Sequence, residues 1–356
     1  MELSITTKLS DHMTPKPAAD ADLGFGQIFT DHMFTMDYNE KSGWHSPQIV
    51  PYMPIDLDPS TISLHYGQAI FDGLKAYRAP DGSINLFRPK LHLERINISN
   101  ERMVIPPIDP DFCLQCLKEL LRIEQDWVPD RPGCSLYIRP FIVAMDPCLI
   151  VKPSGTYRFY IILTPCGSYY PQGMNPVSIF VETEYVRAVR GGSGQAKTPS
   201  NYAASLIAQK KAMAAGCVQV LWLDGVHRRY IEEIGSMNTF FVIDGKLITP
   251  ELNGSILSGI TRRSVIELAR DMGYTCEERQ IAIDELCALA KQGHVSEMFG
   301  SGTAAVISPV GELHYETERI VFNQGKTGKL TQLFYDTITG IQYGLIPDQY
   351  NWTEKI

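Results

Sequence analysis

A single lysine sits behind a run of glycines and just ahead of an Ala-rich stretch, in Arg190-Gly-Gly-Ser-Gly-Gln-Ala-Lys197-Thr-Pro-Ser-Asn-Tyr202. Two chemistries use a lysine placed like that. In a P-loop, glycine backbone wraps nucleotide phosphates and the lysine reaches their charge. Alternatively, a lysine can hold a carbonyl cofactor as an imine. The bland alternative is a surface lysine in a flexible glycine loop.

The P-loop reading fails on its context. Gly191-Gly-Ser-Gly-Gln-Ala-Lys197-Thr198 fits GxxxxGK[ST] except at Ala196, where glycine is required. Val218-Gln-Val-Leu-Trp-Leu-Asp224 imitates the apolar strand whose acid holds magnesium. But a P-loop follows a buried apolar strand, and Val181-Glu-Thr-Glu-Tyr-Val-Arg-Ala-Val-Arg190 is heavily charged. Pro199 also stands two residues past the lysine, where the helix of a P-loop is already running.

The imine reading makes demands that can be checked against the rest of the chain. Pyridoxal phosphate needs a lysine, an anion site, an acid against its pyridine nitrogen and a donor near its phenolic oxygen. Leu257-Ser-Gly-Ile-Thr-Arg-Arg-Ser reads as a helix N-terminus capped by Ser258, with the free N–H groups of Ile260 and Thr261 facing an anion. Glu232 and Glu233 form a pair of acids in the apolar, strand-like Tyr230-Ile-Glu-Glu-Ile-Gly-Ser-Met-Asn238. Strand alternation sends one outward to water and the other inward, where it needs a cationic partner. Tyr202 is the candidate donor.

Taken in order, Lys197-Thr198 with Asn201-Tyr202, Glu233-Ile-Gly-Ser-Met-Asn238, Leu257-Ser-Gly-Ile-Thr-Arg262 and Phe299-Gly-Ser-Gly-Thr-Ala-Ala305 resemble the motifs of the fold-type IV pyridoxal-phosphate enzymes. More narrowly, the chain resembles the branched-chain amino-acid aminotransferases. Phe25-Gly-Gln-Ile-Phe-Thr-Asp-His-Met33, Leu64-His-Tyr-Gly-Gln-Ala-Ile-Phe-Asp-Gly-Leu-Lys-Ala76, Leu86-Phe-Arg-Pro89 with Arg95, and Leu136-Tyr-Ile-Arg-Pro140 agree, as does the ending Asp348-Gln-Tyr-Asn-Trp352. The resemblance covers nearly the whole chain.

It implies an α+β, two-domain fold-type IV architecture. A small N-terminal α/β domain (1–167) and an interdomain loop (168–176) precede a larger pyridoxal-phosphate domain (177–356) with a barrel-like sheet. It implies transamination of leucine, isoleucine and valine with 2-oxoglutarate by a ping-pong mechanism, and a homodimer. Lys197 would hold the cofactor and shuttle the proton. Arg95, Arg187, Tyr202, Glu233, Ser236, Gly259, Ile260, Thr261 and Thr303 would also contact the cofactor. Phe25, Tyr66, Phe71, Tyr137, Arg139, Thr303 and Ala304 would contact substrate. The Gly300–Ala304 segment reads as a turn offering N–H groups to a carboxylate. Phe25, Phe71 and Tyr137 would form apolar walls, and Arg139 would receive the distal carboxylate of glutamate. Mammalian relatives carry a redox CxxC after this turn. Here the positions are Ala305 and Ser308, so thiol control is not expected there.

Neighbouring readings keep the fold and change the substrate: a D-amino-acid aminotransferase or an aminodeoxychorismate lyase. The first-half motifs favour the branched-chain enzyme. A P-loop hydrolase and a non-enzymatic binding protein remain as readings from other classes.

The elements that must position these residues follow from pattern. The 356-residue length suggests two domains, and 44% hydrophobic with 20% charged residues is ordinary for a globular chain. Net charge is -8, with no dense Lys/Arg cluster, so nucleic acid is not an expected partner. Residues 1–22 lack a secretory pattern and no apolar run reaches membrane-spanning length, so a cytoplasmic protein with no membrane partner is expected. The histidines show no metal-ligand spacing. Cys113-Leu-Gln-Cys116 has no second pair to complete a zinc site and reads as part of a core helix. Strands are expected at 84–87 after a Pro80-Asp-Gly82 turn, and at 136–144, 157–163, 218–224, 228–233, 237–243 and 246–249. Helices are expected at 90–103, 111–125, 203–215 and 258–270.

Overall fold

The computed structural model describes residues 4–18, 20–167 and 173–356. Of the expected interdomain loop, residues 168–172 lie outside the described residues. The chain divides into two compact units. One comprises Met1–Tyr169, Ala196–Pro199 and Gly340–Ile356; the other comprises Tyr170–Gln195 and Ser200–Thr339.

The first unit is built on a nine-stranded sheet. At its centre, Ser135–Ala144 pairs antiparallel with both Thr156–Cys166 and Leu74–Arg78, and Ala69–Phe71 joins its end. Alternation along the central strand sorts its side chains. Leu136, Ile138, Ile142 and Ala144 enter the apolar core with Phe159, Ile161 and Leu163 of the neighbouring strand. That core is closed by Leu93 and Ile96 of the helix Pro89–Met103 and by Leu117, Leu120 and Leu121 of the helix Pro110–Ile123. Tyr137 and Arg139 therefore project from the opposite face. Asp109 starts the second helix with its carboxylate on the N–H groups of Asp111 and Phe112, and Pro110 occupies the first helical position. Cys113 and Cys116 lie on this helix, buried in the core and unpaired, as their apolar spacing suggested. Burial pushes the Cys113 thiol well up and that of Cys116 to about 12, so neither offers a thiolate at neutral pH.

The second unit is organised around a closed barrel of six strands. Ile231–Ile234, Gln219–Leu223, Val177–Glu182, Val306–Tyr315, Val295–Gly302 and Met237–Ile243 pair in that order, and the last pairs back to the first. All six contribute to one apolar cluster, among them Val181, Leu221, Ile234, Phe241, Met298 and Val310. Closure leaves no open edge between these strands. The turn Asp244-Gly245 has positive φ at both residues, 48° and 75°, which selects a tight hairpin into Lys246–Thr249.

Two expected elements differ from those observed. The strand placed at 228–233 begins only at Ile231. The Asp224 carboxylate accepts the N–H groups of Val226, His227, Arg229 and Tyr230, which curls the intervening chain into a loop. That carboxylate is occupied as a loop organiser and is not the magnesium ligand of a P-loop. The single helix placed at 203–215 is two, Pro199–Ala203 and Leu206–Ala214. Between them Ser205 donates its hydroxyl to the Tyr202 carbonyl, a local bond that competes with the helix. Among the described residues no helix is long and apolar enough to cross a membrane.

Candidate active site

Lys197 is fixed by its main chain within the first unit. Its N–H donates to Ser99 Oγ at 2.9 Å and its carbonyl accepts the Phe71 N–H at 2.9 Å. Thr198 Oγ1 adds a bond to the Ala69 carbonyl at 2.9 Å. The lysine is thus clamped between the helix Pro89–Met103 and the strand Ala69–Phe71. Its ammonium lies 4.9 Å from the centre of the Phe71 ring. The side chain is aimed by a held backbone, which is unlike a lysine in a flexible loop.

The aromatic residues singled out in the sequence converge here. Phe25 and Tyr137 meet edge to face with centroids 4.8 Å apart. The Arg139 guanidinium lies 4.9 Å from the Phe71 ring centre and 5.2 Å from that of Tyr137, and donates to Tyr137 Oη at 3.0 Å. Arg139 Nε is buried with no hydrogen-bond partner among the described residues. A Cβ on Gly73 would come within 1.8 Å of Tyr137 Oη, so only glycine lets that ring stand where it does.

Beneath them is a buried charge cluster. Asp72 receives two bonds from Arg95, Nε at 2.8 Å and Nη2 at 2.7 Å, and one from His92 Nδ1 at 2.8 Å. Burial would raise the Asp72 pKa, but the Arg95 charge and the His92 bond outweigh it and hold the carboxylate well below its usual range. His92, also buried, is lowered by desolvation in spite of Asp72. Arg95 enters as a preset cation, two of its five N–H groups committed to Asp72.

The second unit carries its own set. Glu233 is buried and its Oε2 lies 2.7 Å from Arg187 Nε, the cationic partner that an inward acid requires. Its Oε1 accepts from Asn238 Nδ2 at 3.1 Å and from the Leu257 N–H at 3.0 Å. Arg187 Nη2 further donates to the carbonyls of Gly194 (3.1 Å) and Ser255. A Cβ on Gly194 would fall 2.1 Å from the Ser255 carbonyl oxygen, so this glycine admits a passing main chain.

Glu232 departs from expectation. It too is buried, 2% exposed, with Asn253 and Ser255 brought against it. It accepts from Ser255 Oγ and from Asn253 Nδ2 at 3.3 Å, and its Oε2 is buried with no hydrogen-bond partner among the described residues. Burial raises its pKa although the Ser255 and Asn253 bonds act the other way. A raised carboxylate pKa means the folded state holds its proton more tightly, so stability falls as pH rises through the window above the unfolded value. Glu232→Gln is expected to stabilise the protein by about 1 kcal/mol at pH 7 and to flatten the pH dependence of Tm in that window, measured by thermal melts.

Gly259, not Ser258, is the N-cap of the helix Ile260–Asp271, and having no side chain it makes no capping bond of its own. A Cβ there would come within 2.0 Å of Asn238 Oδ1, which explains the glycine. The first-turn N–H groups of Ile260 and Thr261 have no helical acceptor. Thr303 and Ala304 lie in the short turn 303–305, whereas Gly300, Ser301 and Gly302 belong to the strand before it. Ser236 is exposed at the turn joining Ile231–Ile234 to Met237–Ile243, and Tyr202 is half-buried in the helix Pro199–Ala203. Tyr66 ends the helix Ile62–Tyr66 and donates its hydroxyl to the Leu149 carbonyl at 2.6 Å.

Comparison with known proteins decides the family. The class IV amino-transferase family model matches residues 69–313. Branched-chain-amino-acid aminotransferase 2 of Bacillus subtilis is 53% identical over 99% of this chain and 97% of its own length. The chain belongs to the class IV, branched-chain aminotransferase family. A branched-chain-amino-acid aminotransferase of Mycolicibacterium smegmatis is 47% identical over 94% of this chain and 93% of its own. Among solved structures, the branched-chain aminotransferase of Thermoproteus uzoniensis with norvaline superposes with a TM-score of 0.75 at 26% identity, covering 91% of this chain and 99% of that one.

Four residues organise this aminotransferase that pattern reading did not single out: Asp72, His92, Ser99 and Asn238. The signal was present for two of them. His92 and Ser99 stand three before and four after Arg95, so the three share one helix face. Asp72 lies inside a quoted motif, but nothing local marks it as buried.

Proposed function

We propose that this aminotransferase exchanges amino groups between leucine, isoleucine or valine and 2-oxoglutarate in a ping-pong sequence, with pyridoxal 5'-phosphate as cofactor. The observation that carries the reading is the clamped Lys197, its amine over the Phe71 ring, which the Arg139 guanidinium also approaches. Bound pyridoxal phosphate supplies an aldehyde for amino groups and an electron-accepting ring.

The residues suit that cofactor. Glu233 is buried and held by Arg187, Asn238 and the Leu257 N–H, which suits an acid facing a protonated pyridine nitrogen. The first turn after Gly259 offers the Ile260 and Thr261 N–H groups to phosphate, and Arg95 and Arg187 bring fixed positive charge. Tyr202 serves the phenolic oxygen, and Ser236 and Thr303 donate further hydrogen bonds to the cofactor. Lys197 Nζ holds the aldehyde carbon and moves the proton taken from substrate Cα.

Phe25, Phe71 and Tyr137 hold the aliphatic side chain. Tyr66 and the N–H groups of the turn at Thr303 and Ala304 receive the α-carboxylate. Arg139 answers a second carboxylate. Its buried, unpartnered Nε supports this, since a glutamate carboxylate would satisfy it. With Arg139→Ala, KM for glutamate is expected to rise about tenfold or more while KM for leucine stays within about threefold. Equal losses toward both substrates would remove this role.

We also propose a cytoplasmic homodimer. All eight cysteines are free, in keeping with a reducing compartment. The exposed run Leu149-Ile150-Val151 is an apolar surface suited to a second copy, which light scattering would detect.

A further inference from the structure

A cavity of about 550 Å³ opens in the first unit, and none of the site residues described above lines it. Its floor is apolar, formed by the buried Leu23, Val128 and Pro165. One wall is the segment Lys16-Pro-Ala18, held by bonds from the Thr14 N–H (2.7 Å) and Lys16 Nζ (3.3 Å) to the Asp31 carboxylate.

Arg78 gives the cavity its chemistry. The guanidinium donates Nε to the Val128 carbonyl at 3.2 Å, Nη1 to Gly82 at 3.2 Å and Nη2 to Gln125 at 2.6 Å. Three of its five N–H groups are thereby spent on main chain, one remains on each terminal nitrogen, and the fork is locked in direction. No carboxylate among the described residues neutralises it. The neighbouring cation Lys16 is already shared between Asp31 and the face of Trp127, 4.9 Å from that ring's centre. The lining also holds Arg131, Asp126 and Asp130, so three cations face two carboxylates, and Arg78 is the cation locked in direction above the apolar floor. Lys16 lies over the Trp127 ring face, which disfavours a stacked aromatic or nucleobase ligand.

We propose that this cavity is a second small-molecule site, and that it binds an aliphatic carboxylate. The carboxylate sits on the Arg78 fork, and the hydrocarbon body lies against Leu23, Val128 and Pro165. A cavity of this size is within the range of natural ligand sites. The proposal rests on the cavity alone and stands or falls separately from the substrate assignment.

The test is calorimetric titration of the holoenzyme with 4-methylpentanoate, which has no amino or oxo group and cannot react. Because the catalytic site also takes carboxylates, the readout is an additional binding event. In wild type the additional event is expected with the acid and not with 4-methylpentanamide. Arg78→Met is expected to weaken it by at least about tenfold. Ala18→Trp fills the cavity from an exposed wall residue and is expected to do the same, which decides the matter if Arg78→Met fails to fold. KM for leucine should stay within about twofold in both. A single event in wild type, equal binding of acid and amide, or persistence of the additional event in either folded variant would overturn the proposal.

Discussion

Lys197→Ala is expected to lower kcat by at least about 10⁴-fold and to abolish the lysine-dependent visible absorption of the holoenzyme, with little change in Tm. The two halves of this expectation come from different atoms. In the proposed mechanism activity depends on Nζ, the amine assigned to hold the aldehyde and move the proton. Stability depends on the backbone: the N–H to Ser99, the carbonyl to Phe71 and the Thr198 hydroxyl to Ala69 all survive truncation at Cβ. The ammonium's contact with the Phe71 ring is lost, at about 1 kcal/mol. Stopped-flow kinetics, absorbance and a thermal melt on one preparation check all three. A variant that keeps substantial activity would remove Lys197 from the chemistry. A variant that melts many degrees lower would show the side chain acting in structure.

The second large effect is structural. Asp72→Ala is expected to destabilise the protein by about 3–5 kcal/mol, because Arg95 and His92 would stay buried without their partner. For a unit of this size that lowers Tm by about 10 °C. Asp72→Asn keeps the shape and some of the bonds and should lose less. The pH dependence separates charge from packing. Asp72 is held below the ordinary carboxylate range, so its contribution is present above the unfolded value, about 3.9, and disappears as pH falls toward the folded one. His92 has a folded pKa lowered by burial, and its contribution likewise weakens as pH falls below about 6.5. Wild type should therefore lose stability in acid more steeply than Asp72→Asn. Chemical denaturation between pH 3 and 7 measures both slopes, and identical slopes would mean the charge of Asp72 contributes nothing.

Much of the first unit was legible because its elements obey local rules. Pro80-Asp-Gly82 precedes Ile84–Phe87 in a true hairpin with Leu74–Arg78, and the alternating apolar residues of Ser135–Ala144 face the core as their spacing requires. Expectation failed where a distant segment overrode the local signal. Strand alternation placed one of Glu232 and Glu233 in water, but alternation only assigns opposite faces. Whether a face is wet depends on what covers it, and here Ser255 and Asn253 arrive from more than twenty residues away. Ser258 was the natural cap for its helix by residue type, yet Gly259 takes that place, with Asn238 in the space beside it.

The sequence by itself singled out the residues proposed to carry the chemistry. Lys197, Glu233, Arg139 and the glycine before the Ile260 helix stand in an order with few alternative readings, because a lysine behind glycines, an inward acid and a glycine-led helix N-terminus each have few uses. It also determined most strands and turns, since side-chain period and left-handed turn residues act over a handful of positions. Only the tertiary structure decided that Lys197 is held by Ser99 and Phe71 within the first unit, that Arg95 arrives already paired with Asp72, and that Ile231–Ile234 closes a barrel against both Gln219–Leu223 and Met237–Ile243. The physical reason is separation along the chain. Ser99 and Lys197 are 98 residues apart, and their meeting depends on the register and packing of several elements at once, which no local pattern encodes.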